Sequence, residues 1–287
     1  MTSPTPLDSA TPTPTPTPAP APAAPPSRRT AAVAVSVVTI VVGAVAFLGT
    51  VGGTAISAAV TLSDTGEYGN GGSISARGLT DLDIDVAGGS LTIEYGDVSD
   101  AELAARAGGP DGWTFERQGD TLRVASPERP GPSAWGGGRS ATLTLPRELA
   151  GTGLDATLQV TGGSLDVDAT LGALRVDLAG GEVTVEGAAR SLDLTVAGGS
   201  ASVELDDVGT ASFEIAGGEL SADLSGTTPS RTTVSLTAGS ADIVLPDDTY
   251  RVTTEGVGSV DNALRTSSSA TAVVDVEAAL GRVSLSS

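Results

Sequence analysis

The sequence predicts an all-β chain: a parallel β-solenoid with about two strands per 18–19-residue rung, preceded by one transmembrane α-helix. Three observations carry this. A glycine-marked phrase recurs at near-constant steps, apolar and polar residues alternate between its copies, and one long uncharged apolar run precedes them all.

Residues 1–29 come first. Thr11 to Pro18 is a strict Thr-Pro run, and the surrounding Pro, Thr and Ala have little apolar surface to bury, so the segment is expected to be a disordered cytoplasmic tail. Residues 30–53 are uncharged and rich in Val, Ala, Ile and Leu. At ~1.5 Å per residue the run suffices for a ~30 Å hydrocarbon core, so a membrane helix through the lipid bilayer is expected. Arg28 and Arg29 precede it and acids follow, which orients the tail to the cytoplasm and the bulk outside, as a single-pass protein. The alternative is a signal segment cleaved near Ser57, giving a secreted protein. Residues 54–72 read as a flexible stalk.

The folded part is expected over 73–287, where Gly-Gly followed by Ser or Glu recurs. It stands at Gly88-Gly89, Gly162-Gly163, Gly180-Gly181, Gly198-Gly199 and Gly217-Gly218, and as Ala238-Gly239; a further copy, Gly71-Gly72, precedes them. From Gly163 the second glycines step by 18, 18, 19 and 21 residues to Gly239. Leu174, Val176 and Leu178 before one pair, and Val183 and Val185 after it, alternate with polar residues and face a thin core. A turn that must stack on its neighbour needs a residue with positive φ and no Cβ, which glycine supplies. A phosphate-cradling loop is not indicated, because such a loop occurs once and opens a helix.

Residues 95–140 break the period as an insertion. Trp113 to Arg117 and Thr121 to Ala125 flank Gly119-Asp120 as a hairpin, and Pro127 to Gly138 is a loop around Trp135. Trp113 and Trp135 are candidate partner contacts, or plugs for the core. The segment from Tyr250 to Leu285 reads as a degenerate continuation that caps the far end.

With these residues laid out, the chain from about Ser73 to Ser287 resembles the bacterial putative-adhesin family of domains of unknown function. The glycine-marked strands and the openings Leu145-Pro146 and Leu245-Pro246 carry the likeness. The resemblance implies a cell-envelope β-solenoid, often tethered by one helix, with no catalytic residues to carry over.

Composition narrows the chemistry. The chain has no His and no Cys, and its basic residues are all Arg, so imidazole and thiolate catalysis, cysteine-based metal sites and Schiff-base chemistry are excluded. Net charge is −20; since Asp8, Arg28 and Arg29 are the only charges before Asp64, the remainder carries 34 acids against 13 arginines, or −21. Such a field repels nucleic acid and keeps a repetitive β-protein soluble. The fifth residue after the glycine pair is acidic in Glu94, Asp168, Glu186, Glu204 and Asp223, a candidate calcium-binding column or a solvated edge. Cleavage of polysaccharide by paired carboxylates is disfavoured, because the repeat spreads the acids evenly.

The expected function is therefore interaction, adhesion or scaffolding, without catalysis. The partner is an envelope protein, a wall polymer or a second copy of the chain. The alternatives are the ectodomain of an envelope-stress sensor and a cation-stabilised polysaccharide-binding module.

Overall fold

The computed structural model describes residues 58–59, 70–105, 113–126 and 140–287. The expected tail, the membrane segment 30–53, most of the stalk and the loop holding Trp135 lie outside the described residues. Among the described residues no helix is long and apolar enough to cross a membrane.

The described chain is all-β, and its 21 strands belong to one open sheet. Two parallel ladders make up most of it, one of strands before the glycine turn and one of strands after it. In the pre-glycine ladder Leu174 pairs with Leu192, Leu192 with Ala211, Ala211 with Thr232, and Thr232 with Val274. In the post-glycine ladder Leu165 pairs with Val183, Val183 with Ala201, Ala201 with Leu220, and Leu220 with Ala241. The register thus reproduces the steps of the sequence repeat. Two strands, Ser164–Leu178 and Glu182–Val196, run unbroken for 15 residues, each linking the post-glycine half of one layer to the pre-glycine half of the next.

Because side chains alternate across a strand, an in-register parallel pair stacks apolar on apolar. Ile84, Leu158, Val176, Leu194, Phe213 and Val234 form such a column, each at most 1% exposed. The inward residues of both ladders join one core cluster. Its one uncompensated polar atom among the described residues is the Thr232 hydroxyl, which is buried without a hydrogen-bond partner.

The turn between ladders explains the glycine pair. The second glycine has positive φ in every copy from Gly89 to Gly239, for example 96° at Gly181 and 88° at Gly199. A Cβ on Gly199 would also collide with the carbonyl oxygen of Gly181 in the layer below. The first glycine is less constrained, since a Cβ on Gly198 would lie 3.2 Å from the Ala179 oxygen. Ala238 and Leu280 occupy that first position in the last copies, while Gly239 and Gly281 keep the second.

Both ends depart from the expected order. Thr121–Ala125 pairs in parallel with Asp81–Val86, and Ser140–Pro146 with Ser90–Gly96, so the insertion supplies a further layer of the stack. The hairpin Thr114–Gln118/Thr121–Ala125 forms, with Gly119 at φ 70° in its turn. The buried Ser126, which follows Thr121–Ala125, ties this layer to the neighbouring glycine turn: its hydroxyl oxygen accepts the backbone N–H of Ala87 at 2.7 Å and that of Gly88 at 3.3 Å. The Gly71-Gly72 copy of the phrase marks no turn, because it lies inside Asn70–Ile74, which is antiparallel to Ala101–Ala105. Parts of the expected stalk are also paired: Ala58–Ala59 runs antiparallel beside Glu116 and Arg117.

At the far end the last strands in sequence are not the last in space. Ala272–Ala278 pairs with Arg231–Leu236 on one side and Thr249–Gly256 on the other, and Arg282–Ser286 lies likewise between Ser240–Val244 and Ser259–Asn262. The terminal segment therefore fills a gap, and residues 249–262 form the outermost layer.

Candidate interaction surface

The outward residues of the two ladders differ in charge. On the pre-glycine face arginines and acids interleave. Arg175 donates to Asp177 on its own strand at 3.0 Å and to Asp193 directly across at 3.0 Å, and Asp177 first, then Asp193, pushes the guanidinium pKa upward. Arg123 meets Asp83 at 3.3 Å, and Arg231 meets Asp275 at 2.6 Å. All are partly exposed to solvent, so each pair contributes under about 1 kcal/mol and serves mainly to balance charge.

The post-glycine face carries no such balance. Glu94 pairs with Asp168, Asp168 with Glu186, Glu186 with Glu204 and Glu204 with Asp223, so the acidic column expected from the sequence is continuous and exposed. Beside it run Thr92, Asp166, Thr184, Ser202, Ser221 and Asp242. Counting only the post-glycine halves of the two long strands, Arg282 is the one arginine on this ladder among the described residues. No ion pair among the described residues involves the five acids. Like charges facing one another across neighbouring strands repel unless water and counterions screen them.

Among the described residues no group of three or more Asp or Glu is gathered to hold a metal ion. The column offers one carboxylate per strand in a line, whereas a calcium site needs six to eight oxygens about a point.

The other sequence candidates separate. Trp113 is 6% exposed and belongs to the core cluster, so it packs and does not present a contact to a partner. Trp135 lies outside the described residues.

Other polar groups with shifted titration have local structural causes. Asp207 is the one non-glycine residue with positive φ (59°) among those described. Its Oδ1 accepts the Thr227 hydroxyl at 2.7 Å and the Thr227 N–H at 3.0 Å, which lowers its pKa and ties one layer's corner to the next. Asp248 is lowered by the Thr249 N–H and then the Thr228 hydroxyl. Tyr250 is fully buried and donates to the Pro246 carbonyl at 2.6 Å; burial pushes its pKa to about 12. Burial does the same to Tyr95, which donates to the Thr170 carbonyl at 2.9 Å. The Arg175–Asp193 contact was legible from the 18-residue step alone. The Ser126 cap was not, because the strands it joins are remote in sequence.

No family model matches the chain. No curated protein matches it either. Solved structures similar to it include a putative cell adhesion protein from Clostridium sporogenes, at 13% identity over 75% of this chain and 97% of that one, with a TM-score of 0.33. A putative adhesin from Bacteroides fragilis is similar at 12% identity over 75% of this chain and 95% of that one, with a TM-score of 0.35.

Proposed function

We propose that this chain is a non-catalytic, membrane-anchored envelope protein whose stacked ladders form a β-solenoid mediating adhesion or scaffolding. The observation that carries the reading is the repetition of one chemistry along the post-glycine face. Ser164, Glu182, Ser200, Glu219 and Ser240 follow one another in register, as do the acids from Glu94 to Asp223. A face that presents a carboxylate at successive ~4.8 Å steps, flanked by polar residues, suits an extended or repetitive external partner, where many weak contacts add through multivalency. Catalysis asks for the opposite, a few groups converging on one point. Residues 30–53 serve as the anchor in this reading, with the N-terminus inside.

The test is attachment. Cells displaying the full chain are compared with cells displaying the Glu186→Gln, Glu204→Gln, Asp223→Asn variant for binding to wall polymer and to neighbouring cells. Attachment by the parent chain and its loss in the variant are expected. Equal attachment by both would remove the acidic face from the reading. Deleting residues 1–27 while keeping 30–53 should leave attachment unchanged, and a loss there would favour signalling through the tail.

A further inference from the structure

The two ends of the stack are finished differently. At one end the outer layer is covered: Ser140–Pro146 carries the antiparallel Ala101–Ala105, which carries Asn70–Ile74, and Thr121–Ala125 carries Thr114–Gln118. At the other end Thr249–Gly256 pairs with Ala272–Ala278 along one side. Its second side meets a partner only at Thr249 and Tyr250, through Arg265 and Thr266. Among the described residues nothing pairs with the outer side of residues 251–256. An open edge of this kind is a row of unmet backbone donors and acceptors, which proteins ordinarily cover or blunt.

The side chains at this end also change character. Residues 253–256 are all exposed, where inner strands alternate buried and exposed. The turns of the two outermost layers hold Val257, 87% exposed, and Leu280, 68% exposed. Inner layers have glycine or alanine at the first turn position that Leu280 occupies. Apolar corners therefore appear where the stack stops.

We propose that this edge is where two copies of the chain join, through an antiparallel two-fold pairing of the open residues 251–255 centred on Thr253. The occupant is argued from charge. Arg251 and Glu255 are exposed, lie on the same side of the strand two residues either way from Thr253, and take part in no ion pair among the described residues. A two-fold axis at Thr253 sets Arg251 of each copy opposite Glu255 of the partner subunit, so the edge is complementary to itself. A head-to-tail stack does not suit the molecule, because the opposite end already carries antiparallel covering strands. Tail-to-tail pairing closes after two copies and turns both covered ends outward. This inference does not rest on the adhesion reading, since pairing can hold whether or not the acidic face binds a partner.

The chain contains no cysteine, which makes the test direct. In the full chain, Thr253→Cys places two thiols across the axis, within the Cα separation of about 4.5–5.5 Å that antiparallel neighbours have and a disulfide spans. Oxidation should give a covalent dimer, while Ser212→Cys, in the middle of the stack, should stay monomeric. Arg251→Glu and Glu255→Arg should each weaken self-association by on the order of tenfold, and the double exchange should restore it. Far-UV circular dichroism confirms that each variant is folded. A Thr253→Cys chain that remains monomeric, crosslinks to a different protein, or crosslinks equally well when Arg251→Glu alone is added overturns the proposal.

Discussion

The carbonyl oxygen of Gly181 accepts the backbone N–H of Ser200 at 3.0 Å, so each turn of the stack is bonded to the turn beneath it. The same bond recurs from Gly163 to Glu182, from Gly199 to Glu219 and from Gly218 to Ser240, at 2.9 to 3.1 Å. This contact requires backbone to approach backbone, which makes the second glycine of each pair the sensitive position.

Gly199→Ala should accordingly destabilise by at least about 2 kcal/mol, combining the positive-φ penalty with the collision against Gly181. Gly198→Ala should cost less than about 1 kcal/mol, as the natural Ala238 indicates. Urea denaturation of the two variants checks the order; equal losses would mean that the turn does not discriminate its two positions.

Thr232 stands in an apolar column between Ala211 and Val274 with its hydroxyl unpartnered. Thr232→Val keeps the shape and removes the desolvated group. It should raise stability by about 1 kcal/mol. A fall in the thermal midpoint would show that the hydroxyl has a partner in solution.

Tyr95 and Tyr250 predict a loss of stability in alkali. Both have folded-state pKa values raised from 10 to about 12, so the folded state holds its phenolic protons more tightly than the unfolded state does. Their contribution is complete below pH 10 and disappears as pH rises from there through about 12. Denaturation midpoints followed across that window should fall, and the Tyr95→Phe, Tyr250→Phe double variant should flatten the fall. An identical pH profile for parent and double variant would assign the loss to other groups.

The acidic column should make the fold sensitive to ionic strength. Replacing Glu186 and Glu204 by Gln removes facing like charges. The gain at low salt should be a few tenths of a kcal/mol, shrinking as salt screens the column. Because the acids stand in line without gathering, calcium should stabilise only as far as its ionic strength does. A larger calcium effect at matched ionic strength, lost in the double variant, would reveal chelation.

Much of the middle of the molecule was readable from spacing. The steps between Gly163, Gly181, Gly199, Gly218 and Gly239 reappear as strand register, and the acidic column from Glu94 to Asp223 stacks as the count from the glycines implies. Trp113 was ambiguous because one tryptophan beside an irregular segment fits a core or a surface equally well; burial decided it.

By itself the sequence determined which residues face inward and which layer follows which from Ser164 to Val244, because a fixed step and a two-residue alternation leave one register for neighbouring turns. Only the tertiary structure decided the ends. There the layers share one apolar pattern, so Asp81–Val86 could lie beside any of several strands, and its placement between Thr121–Ala125 and Asp155–Val160 is not encoded locally. The same holds for Ala272–Ala278, inserted beneath Thr249–Gly256. Equivalent inner faces make alternative stackings nearly interchangeable in local terms, and the pairing chosen depends on closing caps such as Ser126 and on loops long enough to bypass a layer.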